Sequence, residues 1–492
     1  MSQRTARIRD LLFQRYLAPT KAERPQYAGI ELELPLVNLT VGSSSSATIL
    51  PVDFAVVHTL TRRFAEHFSF ASMSIDDEGD PYCLEDSHTG DIFTYDCSYN
   101  NLEISFGCTQ NLHEIHSRFS GYYRFIQGVL AEHGHSLTGM GVNPHRSVNR
   151  HIPLPVGRYQ MLYHFLSQAR DLEQPAHSVN QAESRAQLEN NTQPQRFHSF
   201  PEYGMFTSAS QIQIDVKYDA LIPTIRAFSY LEPLKAVLFA NSLFTHQGVD
   251  YLCCRDMLWE QSMHGVNPRN TGMFEQIPAT PDELLDYLAS LSMFCTERDG
   301  RYLSFAPIPV LDYFERARLT GTYIDPATRA VKAMDFAPQA GDLNYLRAYK
   351  LVDLTFRGTI EYRSVCCQPL CDTMTVPAFH WGLVNKIDEL NALFAADKTL
   401  FNRAHTPSEL RRLFTYAAYP GFVSPDDLRA LLIAVLELAS NGLCERGLGE
   451  EIYLTPLFER AYSLQNPAQR YRTLLSSGHD PISLIEDYAI LD

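Results

Sequence analysis

Four short segments of the chain carry carboxylate, amide, hydroxyl or guanidinium side chains at every second position. The polar members of these segments are Glu31 and Glu33; Asn101, Glu103 and Ser105; Gln211, Gln213 and Asp215; and Thr359, Glu361 and Arg363. One such segment would be typical of a half-solvated edge strand, but four together favour a shared site. Carboxylate and amide oxygens are preferred ligands of hard cations such as Mg²⁺. Carboxylates packed together without a cation would repel each other and their pKa values would rise, so the pattern indicates bound metal or a basic substrate.

Apolar residues occupy the alternate positions of the same segments. They are Ile30, Leu32, Leu34 and Leu36; Leu102, Ile104 and Phe106; Ile212, Ile214 and Val216; and Ile360 and Tyr362. Because successive side chains of a β-strand point to opposite faces, each segment predicts a strand with one polar and one apolar face. Glu361 and Arg363 are two positions apart, so a strand directs both side chains into the same cavity.

The rest of the chain is predicted to contain helices and two long loops. The part after about residue 374 is expected to be mainly helical, with Ser424 as a helix N-cap and Gly442 as the end of that helix. Residues 41–48, with four serines, and residues 167–195, rich in Gln, Asn, Glu and Ser, are predicted loops. The longer loop is expected to be either a disordered insertion or a lid over an active site.

Composition limits the classes of function. The chain has 492 residues and a formal net charge of −16, which repels phosphate backbones and anionic lipid, so nucleic acid and membrane are not expected partners. Residues 1–10 are polar with no apolar region behind them, so a cytoplasmic location is expected. The ten cysteines are expected to be reduced and mostly buried, and the chain carries neither a P-loop nor a Rossmann glycine motif.

Taken in order along the chain, the motifs resemble those of glutamate-cysteine ligases and related carboxylate-amine ligases. The matching motifs are GIELE at residues 29–33, the spacing from Asp96 to Glu103, SASQIQID at 208–215, ANS at 240–242 and TIEYR at 359–363. Two further stretches resemble the plant and proteobacterial branch: Arg255 and Trp259 followed by RNTGM at 269–273, and VPAFHWGL at 376–383. The resemblance covers about residues 27–385.

The resemblance implies an α+β fold of the glutamine-synthetase type, in which a curved antiparallel sheet forms a funnel surrounded by helices. We therefore expect a single ligase domain over residues 1–492, with a catalytic region at 27–385 and a mainly helical region at 386–492. The implied reaction uses ATP to phosphorylate a side-chain carboxylate, expected to be that of glutamate, and an amine then attacks the acyl phosphate. ATP is then a co-substrate, Mg²⁺ or Mn²⁺ is the cofactor, and cysteine or another amine is the acceptor.

Residue by residue, the resemblance implies a metal site, a catalytic pair and a substrate-binding segment. The implied metal ligands are Glu31, Glu33, Asp96, Glu103, Gln213 and Glu361. Arg363 matches the arginine that contacts the transferring phosphoryl group and forms the catalytic pair with Glu361. Arg255, Arg269 and Trp259 lie in the segment that holds the amino-acid substrate, and a bidentate contact with a carboxylate would suit either arginine. Each of the two arginines could equally make a structural salt bridge.

Two departures from the family pattern concern the substrates. Residues 364–368 read SVCCQ where an acidic residue usually follows the arginine, and Gln213 stands where His or Asn is commoner. Since Gln can still ligate a metal through oxygen, use of ATP and Mg²⁺ stays expected, while the amine acceptor and the carboxylate donor stay open. Two alternatives from other classes also stay open: an inactive, regulatory ligase-like protein that binds a nucleotide, and a metal-dependent amide hydrolase.

Overall fold

The computed structural model describes residues 3–20, 27–40, 49–171, 197–401 and 405–491. The predicted loop at 41–48 therefore lies outside the described residues. The same holds for the predicted loop at 167–195, apart from its first five residues, where a helix ends at Ser167 and a 3-10 turn covers Gln168–Asp171.

The polar and apolar faces predicted above belong to one antiparallel sheet of nine strands. Along the sheet the order is β16-β17-β7-β1-β5-β4-β3-β2, and β6 pairs with β1 beside this path. The strands are β1 Ala28–Asn38, β2 Ala71–Ile75, β3 Pro81–Glu85, β4 Ile92–Tyr95, β5 Asn101–Thr109, β6 His135–Leu137, β7 Ser210–Asp215, β16 Val352–Leu354 and β17 Thr359–Tyr362. The four segments read from the sequence thus lie on β1, β5, β7 and β17, which are consecutive neighbours in the sheet.

Strand register brings the polar residues of these four strands side by side. Glu31 pairs with Gln211 on one side and with Ser105 on the other. Glu33 lies opposite Glu103, and Glu361 lies opposite Gln213. A slip of one residue would turn each polar set to the apolar face, so burial of that face holds this register.

The apolar face is covered by helices, as the alternation predicts. Ile30, Leu32 and Leu34 are each at most 2% exposed. Rings join the helices to the sheet: Phe228 lies 4.2 Å from Tyr362 between ring centroids, and Phe64 lies 4.3 Å from Phe93. The prediction of an α+β fold built on an antiparallel sheet with helices outside is therefore confirmed.

The helices of the described residues are numbered here in chain order. They are α1 Gln3–Leu12, α2 Phe54–Phe68, α3 Leu112–Ala131, α4 Gly157–Ser167, α5 Leu221–Phe239, α6 Cys254–Glu260, α7 Pro281–Ser290, α8 Val310–Glu315, α9 Thr375–Val384, α10 Ile387–Ala396, α11 Pro407–Phe414, α12 Pro425–Cys444, α13 Thr455–Ser463, α14 Pro467–Ser476 and α15 Pro481–Asp487. None of them is long and apolar enough to cross a membrane, as far as the described part of the chain goes.

The chain after residue 374 is helical, as predicted, but the predicted end of one helix is wrong. Ser424 caps α12, because its side chain accepts a hydrogen bond from the backbone N–H of Asp427. The helix does not end at Gly442 and continues to Cys444. A Cβ at Gly442 would lie 2.0 Å from the carbonyl oxygen of Gly382 in α9, so this glycine permits two helices to approach closely.

Smaller sheets complete the fold. A second antiparallel sheet has the order β11-β12-β13-β14, formed by Ser292–Arg298, Arg301–Pro309, Leu319–Ile324 and Val331–Phe336. The two-stranded pairs are β8 Phe244–His246 with β9 Val249–Tyr251, and β10 Thr271–Gly272 with β15 Tyr349–Lys350. One hydrophobic core cluster runs from Ile8 to Ala461 and so includes helices from both ends of the chain. All ten cysteines are free, as predicted, although only five of them are buried.

Candidate active site

The amide of Gln211 organises the deep end of the polar face. Its Nε2 donates to Oε1 of Glu31 at 2.7 Å and to Oε1 of Glu33 at 2.9 Å. The second oxygen of Glu33 accepts a hydrogen bond of 2.7 Å from the backbone N–H of Ala209. The Oε1 atom of Gln211 is buried and has no hydrogen-bond partner among the described residues. Such an orphaned acceptor in a polar interior is suited to a cation or a water molecule.

The edge of the same face carries Glu361 and Arg363 at the end of β17. Glu361 accepts a hydrogen bond of 2.8 Å from Nε2 of Gln213 and forms an ion pair with the guanidinium of Arg363. Asp353, on the neighbouring strand β16, lies directly opposite Glu361. The guanidinium carbon of Arg363 lies 5.9 Å from the ring centroid of Tyr349. The predicted catalytic pair is therefore assembled next to the predicted metal ligands.

The remaining carboxylates come from β5 and the turn before it. Glu103 accepts a hydrogen bond of 2.9 Å from the hydroxyl of Ser105. Asp96 is held by the turn between β4 and β5, in which its backbone N–H donates to the carbonyl of Asn101 at 3.1 Å. The hydroxyl of Tyr159 donates a hydrogen bond of 3.4 Å to Oδ1 of Asp96. We call Glu31, Glu33, Asp96, Glu103 and Glu361 the carboxylate cluster.

Crowding and burial raise the pKa values of this cluster. Burial first, and then the charges of Glu103, Glu33 and Glu361, hold the pKa of Glu31 well above its usual value. Burial and the charge of Asp96 raise the pKa of Glu33 to about 8, although Arg255 opposes the shift. The same two causes raise the pKa of Glu103 to about 7. The acids of this face therefore repel one another when they are ionised, and a bound cation would relieve this repulsion.

Arg255 supports the segment that carries the predicted catalytic pair. It lies in the first turn of α6 and is 8% exposed. Its Nη1 donates to the carbonyls of Arg363 and Val365, each at 3.2 Å. The positive charge of Arg255 also lowers the pKa of Glu33 against the larger effects of burial and Asp96. Arg255 therefore lies beside the carboxylate cluster and holds the backbone that follows β17 by hydrogen bonds.

The other two predicted substrate-binding residues differ in position. Trp259 stacks on Tyr349 with 4.2 Å between ring centroids, and Tyr349 in turn lies under Arg363. Trp259 is therefore part of the wall beside Arg363. The side chain of Arg269 is 49% exposed and lies 4.0 Å from Glu275 in an ion pair. Among the contacts of the described residues, none links Arg269 to the carboxylate cluster.

Sequence reasoning missed two residues of the site. Arg158, at the start of α4, lowers the pKa of Asp96 and of Glu103 against the larger effect of burial. It stands in no alternating segment, so the sequence contains no local signal for it. Asp353 has a pKa raised to about 7, chiefly by burial. It stands between Val352 and Leu354, and this short polar and apolar alternation could have identified it.

The residues fit a hard cation in donor chemistry. Every donor on the cluster is an oxygen, burial and neighbouring carboxylates raise the pKa values of Glu31 and Glu33, and Gln211 adds an orphaned amide oxygen. In the described part of the chain, however, no group of three or more His, Cys, Asp or Glu side chains is already arranged as a metal site. The hydrogen bonds of Gln211, Gln213 and Arg363 occupy several of these oxygens instead.

Comparison with solved structures gives only distant similarity. A glutamate-cysteine ligase from Francisella tularensis in complex with AMP aligns over 96% of this chain and 88% of its own, with 11% identity and a TM-score of 0.46. The complex between the prokaryotic ubiquitin-like protein Pup and its ligase PafA aligns over 96% of this chain and 72% of that chain, with 10% identity and a TM-score of 0.37.

Comparison of sequences identifies the family. The chloroplastic glutamate-cysteine ligase of Nicotiana tabacum is 20% identical over 374 residues, which are 75% of this chain and 63% of the relative. The chloroplastic enzyme of Arabidopsis thaliana is 21% identical over 380 residues, with the same coverages. This chain thus spans somewhat less than two thirds of the length of these relatives. Residues 28–309, more than half of the 492 residues, match the profile of glutamate-cysteine ligase family 2 (GCS2), and the chain belongs to this family.

Proposed function

We propose that the protein is an ATP-dependent carboxylate-amine ligase that forms an amide through an acyl phosphate. The observation that carries the proposal is the carboxylate cluster, whose members lie on β1, β5, β17 and the turn before β5, with Arg363 ion-paired at its edge. Transfer of a phosphoryl group depends on positioning and on neutralising negative charge, which needs metal-binding carboxylates and an arginine. Membership of the family supports the same reaction class.

We further propose Mg²⁺, with Mn²⁺ as a substitute, as the cofactor and ATP as the co-substrate. Glu31, Glu33, Asp96, Glu103, Gln213 and Glu361 would hold the cations. When bound, the cations neutralise the phosphates of ATP and polarise the phosphoryl group. Gln211 holds two of the carboxylates, Glu31 and Glu33, in fixed positions through its single amide nitrogen.

The chain's own cations have separate tasks in this proposal. Burial opposes the charge of Arg363, but Glu361 and Asp353 outweigh burial, so its pKa is raised and it stays protonated. Its planar guanidinium can contact two oxygens of a phosphoryl group at once. Arg255 positions this arginine by fixing the carbonyls of Arg363 and Val365. Trp259 forms a wall of the substrate pocket, and Arg269 takes part only if its segment moves inward.

The finer assignment concerns the substrates, the domain and the compartment. We propose that the γ-carboxylate of glutamate is joined to cysteine or to another amine, as for the relatives named glutamate-cysteine ligase. We also propose one ligase domain, with a catalytic region at 27–385 and a helical region at 386–492. The core cluster from Ile8 to Ala461 supports a single domain. A cytoplasmic location stays a prediction.

An ADP-release assay tests the proposed function. Purified protein is incubated with Mg-ATP and a matrix of amino-acid donors and amines, and the products are analysed by mass spectrometry. We expect ADP and a new amide only when a donor carboxylate and an amine are both present. Cleavage of an amide without ATP would instead identify a hydrolase. Absence of ADP with every pair, in protein that still binds nucleotide, would identify an inactive regulatory ligase-like protein.

A further inference from the structure

The chain before β1 forms a segment that packs beside the candidate active site. Helix α1 continues directly into a π-helical turn over Phe13–Leu17. Leu17 is fully buried, and Tyr16 is 8% exposed. Turns of this kind are rare and are found frequently at functional sites. We call residues 3–20 the N-terminal segment.

The backbone of the N-terminal segment touches the hairpin that joins β16 to β17. A Cβ added to Gly358 of this hairpin would lie 2.5 Å from the carbonyl oxygen of Pro19 and 2.8 Å from the backbone nitrogen of Thr20. The φ angle of Gly358 is +74°, which also favours glycine. The ring centroid of Phe356, on the same hairpin, lies 4.7 Å from the guanidinium carbon of Arg15. The N-terminal segment therefore packs closely against the hairpin, from which β17 leads to the predicted catalytic pair.

Tyr16 of the π-helical turn brings a hydroxyl group into the electrostatic range of Asp353 on β16. Burial raises the pKa of Tyr16 most, and the charge of Asp353 raises it further, while two arginines act in the opposite direction. Asp353 lies opposite Glu361 in the strand register, and these two acids raise the pKa of Arg363 against the effect of burial. The hydroxyl of Tyr16 is therefore close to the group of charges that surrounds Arg363.

Lys350 is a second donor near Asp353, but its hydrogen bonds go elsewhere. Burial raises the pKa of Asp353 to about 7, and the charges of Arg363 and Lys350 oppose this shift. Nζ of Lys350 donates to two backbone carbonyls in residues 271–273, each at 2.7 Å. When Arg363 turns from the acids to a phosphoryl group, the hydroxyl of Tyr16 is a donor that can replace it at Asp353.

The N-terminal segment also contacts helix α7, which touches the predicted substrate-binding segment. Arg9 forms ion pairs with Asp282 and Asp286 of α7. The hydroxyl of Tyr287, on the same helix, donates to the backbone carbonyl of Arg269. The N-terminal segment thus lies between the two parts of the chain that carry the predicted catalytic and substrate-binding residues.

Resting on the proposed function, we propose that the N-terminal segment is a positioning element of the active site, with Tyr16 as its positioning residue. The segment holds the hairpin between β16 and β17, which sets the place of Arg363. The hydroxyl of Tyr16 compensates the charge of Asp353 while Arg363 contacts the transferring phosphoryl group. Without this hydroxyl, Asp353 would hold Arg363 back, and turnover would fall although the substrates still bind.

A purely structural role does not explain the hydroxyl group. The buried aliphatic residues Ile8, Leu12 and Leu17 already anchor the N-terminal segment in the hydrophobic core. Since burial of a polar group costs free energy, a phenylalanine at position 16 would serve packing at least as well. An effect of the Tyr16 hydroxyl on turnover therefore distinguishes positioning from packing.

Steady-state ADP release by Tyr16→Phe tests the assignment. We expect kcat to fall by about 10- to 100-fold, as for a small misplacement of a catalytic group, with the KM for Mg-ATP within about twofold of the wild type. Tyr123→Phe is the matched control, because Tyr123 is 4% exposed on α3 and its hydroxyl donates to the carbonyl of Ala489. The control should keep full turnover. Differential scanning fluorimetry should give the two variants similar melting temperatures.

A double-variant cycle with Asp353→Asn tests the route through Asp353. Asp353→Asn alone should lower kcat, because Arg363 loses one of the two acids that hold it. Tyr16→Phe should have no further effect in the Asp353→Asn protein, since residues that act on each other are not additive. Independent, multiplying effects in the double variant would overturn the assignment, because Tyr16 would then act without Asp353.

The outcomes separate this inference from the proposed function. Wild-type protein that releases no ADP with any donor and amine would overturn both. An active wild type with unchanged kcat in folded Tyr16→Phe would overturn the positioning role and leave the ligase proposal standing. A higher KM for Mg-ATP with unchanged kcat would also overturn it, since Tyr16 would then act on binding alone. Tyr16→Phe protein that does not fold would show that the hydroxyl is structural and would overturn it as well.

Discussion

Two buried groups of charged side chains in this protein differ in their balance. The carboxylate cluster on the sheet has five acids, and Arg363 is ion-paired with one of them. The second group, which we call the helix network, joins Glu232, Lys235, Asp256 and Arg411. Lys235 lies 2.7 Å from Glu232, and Arg411 lies 2.7 Å from Asp256 and 3.3 Å from Glu232. The helix network therefore contains two acidic and two basic side chains.

The balance of charge indicates what each group does. In the helix network, side-chain exposure is 0% for Glu232 and Lys235 and 3% for Arg411. Each of the four charged side chains forms at least one ion pair inside the network, so no ligand is needed to neutralise it. The network ties α5, α6 and α11 together and thereby fixes the helix that carries Arg255. The carboxylate cluster instead keeps an excess of negative charge, which favours cations from outside the chain. Imbalance therefore distinguishes the candidate site from a structural ion network.

The largest expected effect comes from Arg363→Lys. We expect turnover to fall by about 10³ to 10⁵, as for loss of a phosphoryl-binding arginine, because an ammonium group keeps the charge but not the planar fork. Steady-state ADP release measures the change, and circular dichroism checks the fold. Arg318→Lys, in an exposed ion pair with Asp335, is the matched control and should keep full turnover. Near-wild-type turnover in folded Arg363→Lys would remove β17 from the mechanism.

The second-largest expected effect concerns what each of the two groups contributes to the free energy of unfolding. Arg411→Met should lower the free energy of unfolding by about 3–5 kcal/mol, because it leaves buried acids without a partner. Glu33→Gln should leave that free energy unchanged or raise it in metal-free protein at pH 8, because it removes one of several repelling carboxylates. Urea denaturation measures both variants. An equal loss of stability in the two would show that the groups do not differ as described.

Mg-ATP should stabilise the folded protein through the carboxylate cluster. At a hundredfold excess over Kd, binding adds about 2.7 kcal/mol to the free energy of unfolding. Neither ATP with a chelator nor Mg²⁺ alone should raise the melting temperature as much. Without the cation the carboxylates repel the phosphates, and without the phosphates the cation loses part of its ligands. Differential scanning fluorimetry compares the three conditions, and Glu361→Gln should require more Mg²⁺ for the same shift. Equal shifts with and without metal would contradict a cation-binding cluster.

The smallest effect is a dependence of stability on pH. The folded-state pKa values of Glu33 and Glu103 are raised to about 8 and about 7, so the folded protein binds more protons than the unfolded chain above about pH 4.5. The stability that these groups contribute is fully present at lower pH and is lost as pH rises towards 8. Urea denaturation of chelator-treated protein between pH 5 and pH 8.5 should show this fall. A slope that persists in the double variant Glu33→Gln, Glu103→Gln would assign it to other groups.

Local sequence alone sets the two faces of the sheet and the residues on them. Alternation such as that of Glu31 and Glu33 with Ile30 and Leu32 is local, because the pleat of a strand sends neighbouring side chains to opposite faces. Capping is equally local, and the Ser424 cap of α12 was predicted for that reason. The ordered motifs also predicted the family.

Which distant residues meet depends on how the whole chain packs. Glu361 lies opposite Gln213, and Arg255 reaches the carbonyl of Arg363, across more than 100 residues in each case. Gly442 permits helix packing instead of ending a helix, because Gly382 lies against it. Arg158 lowers the pKa of Asp96 through space, and burial and the charge of Glu361 raise the pKa of Asp353. These properties depend on packing between remote segments, whereas local periodicity contains no information about which strands become neighbours.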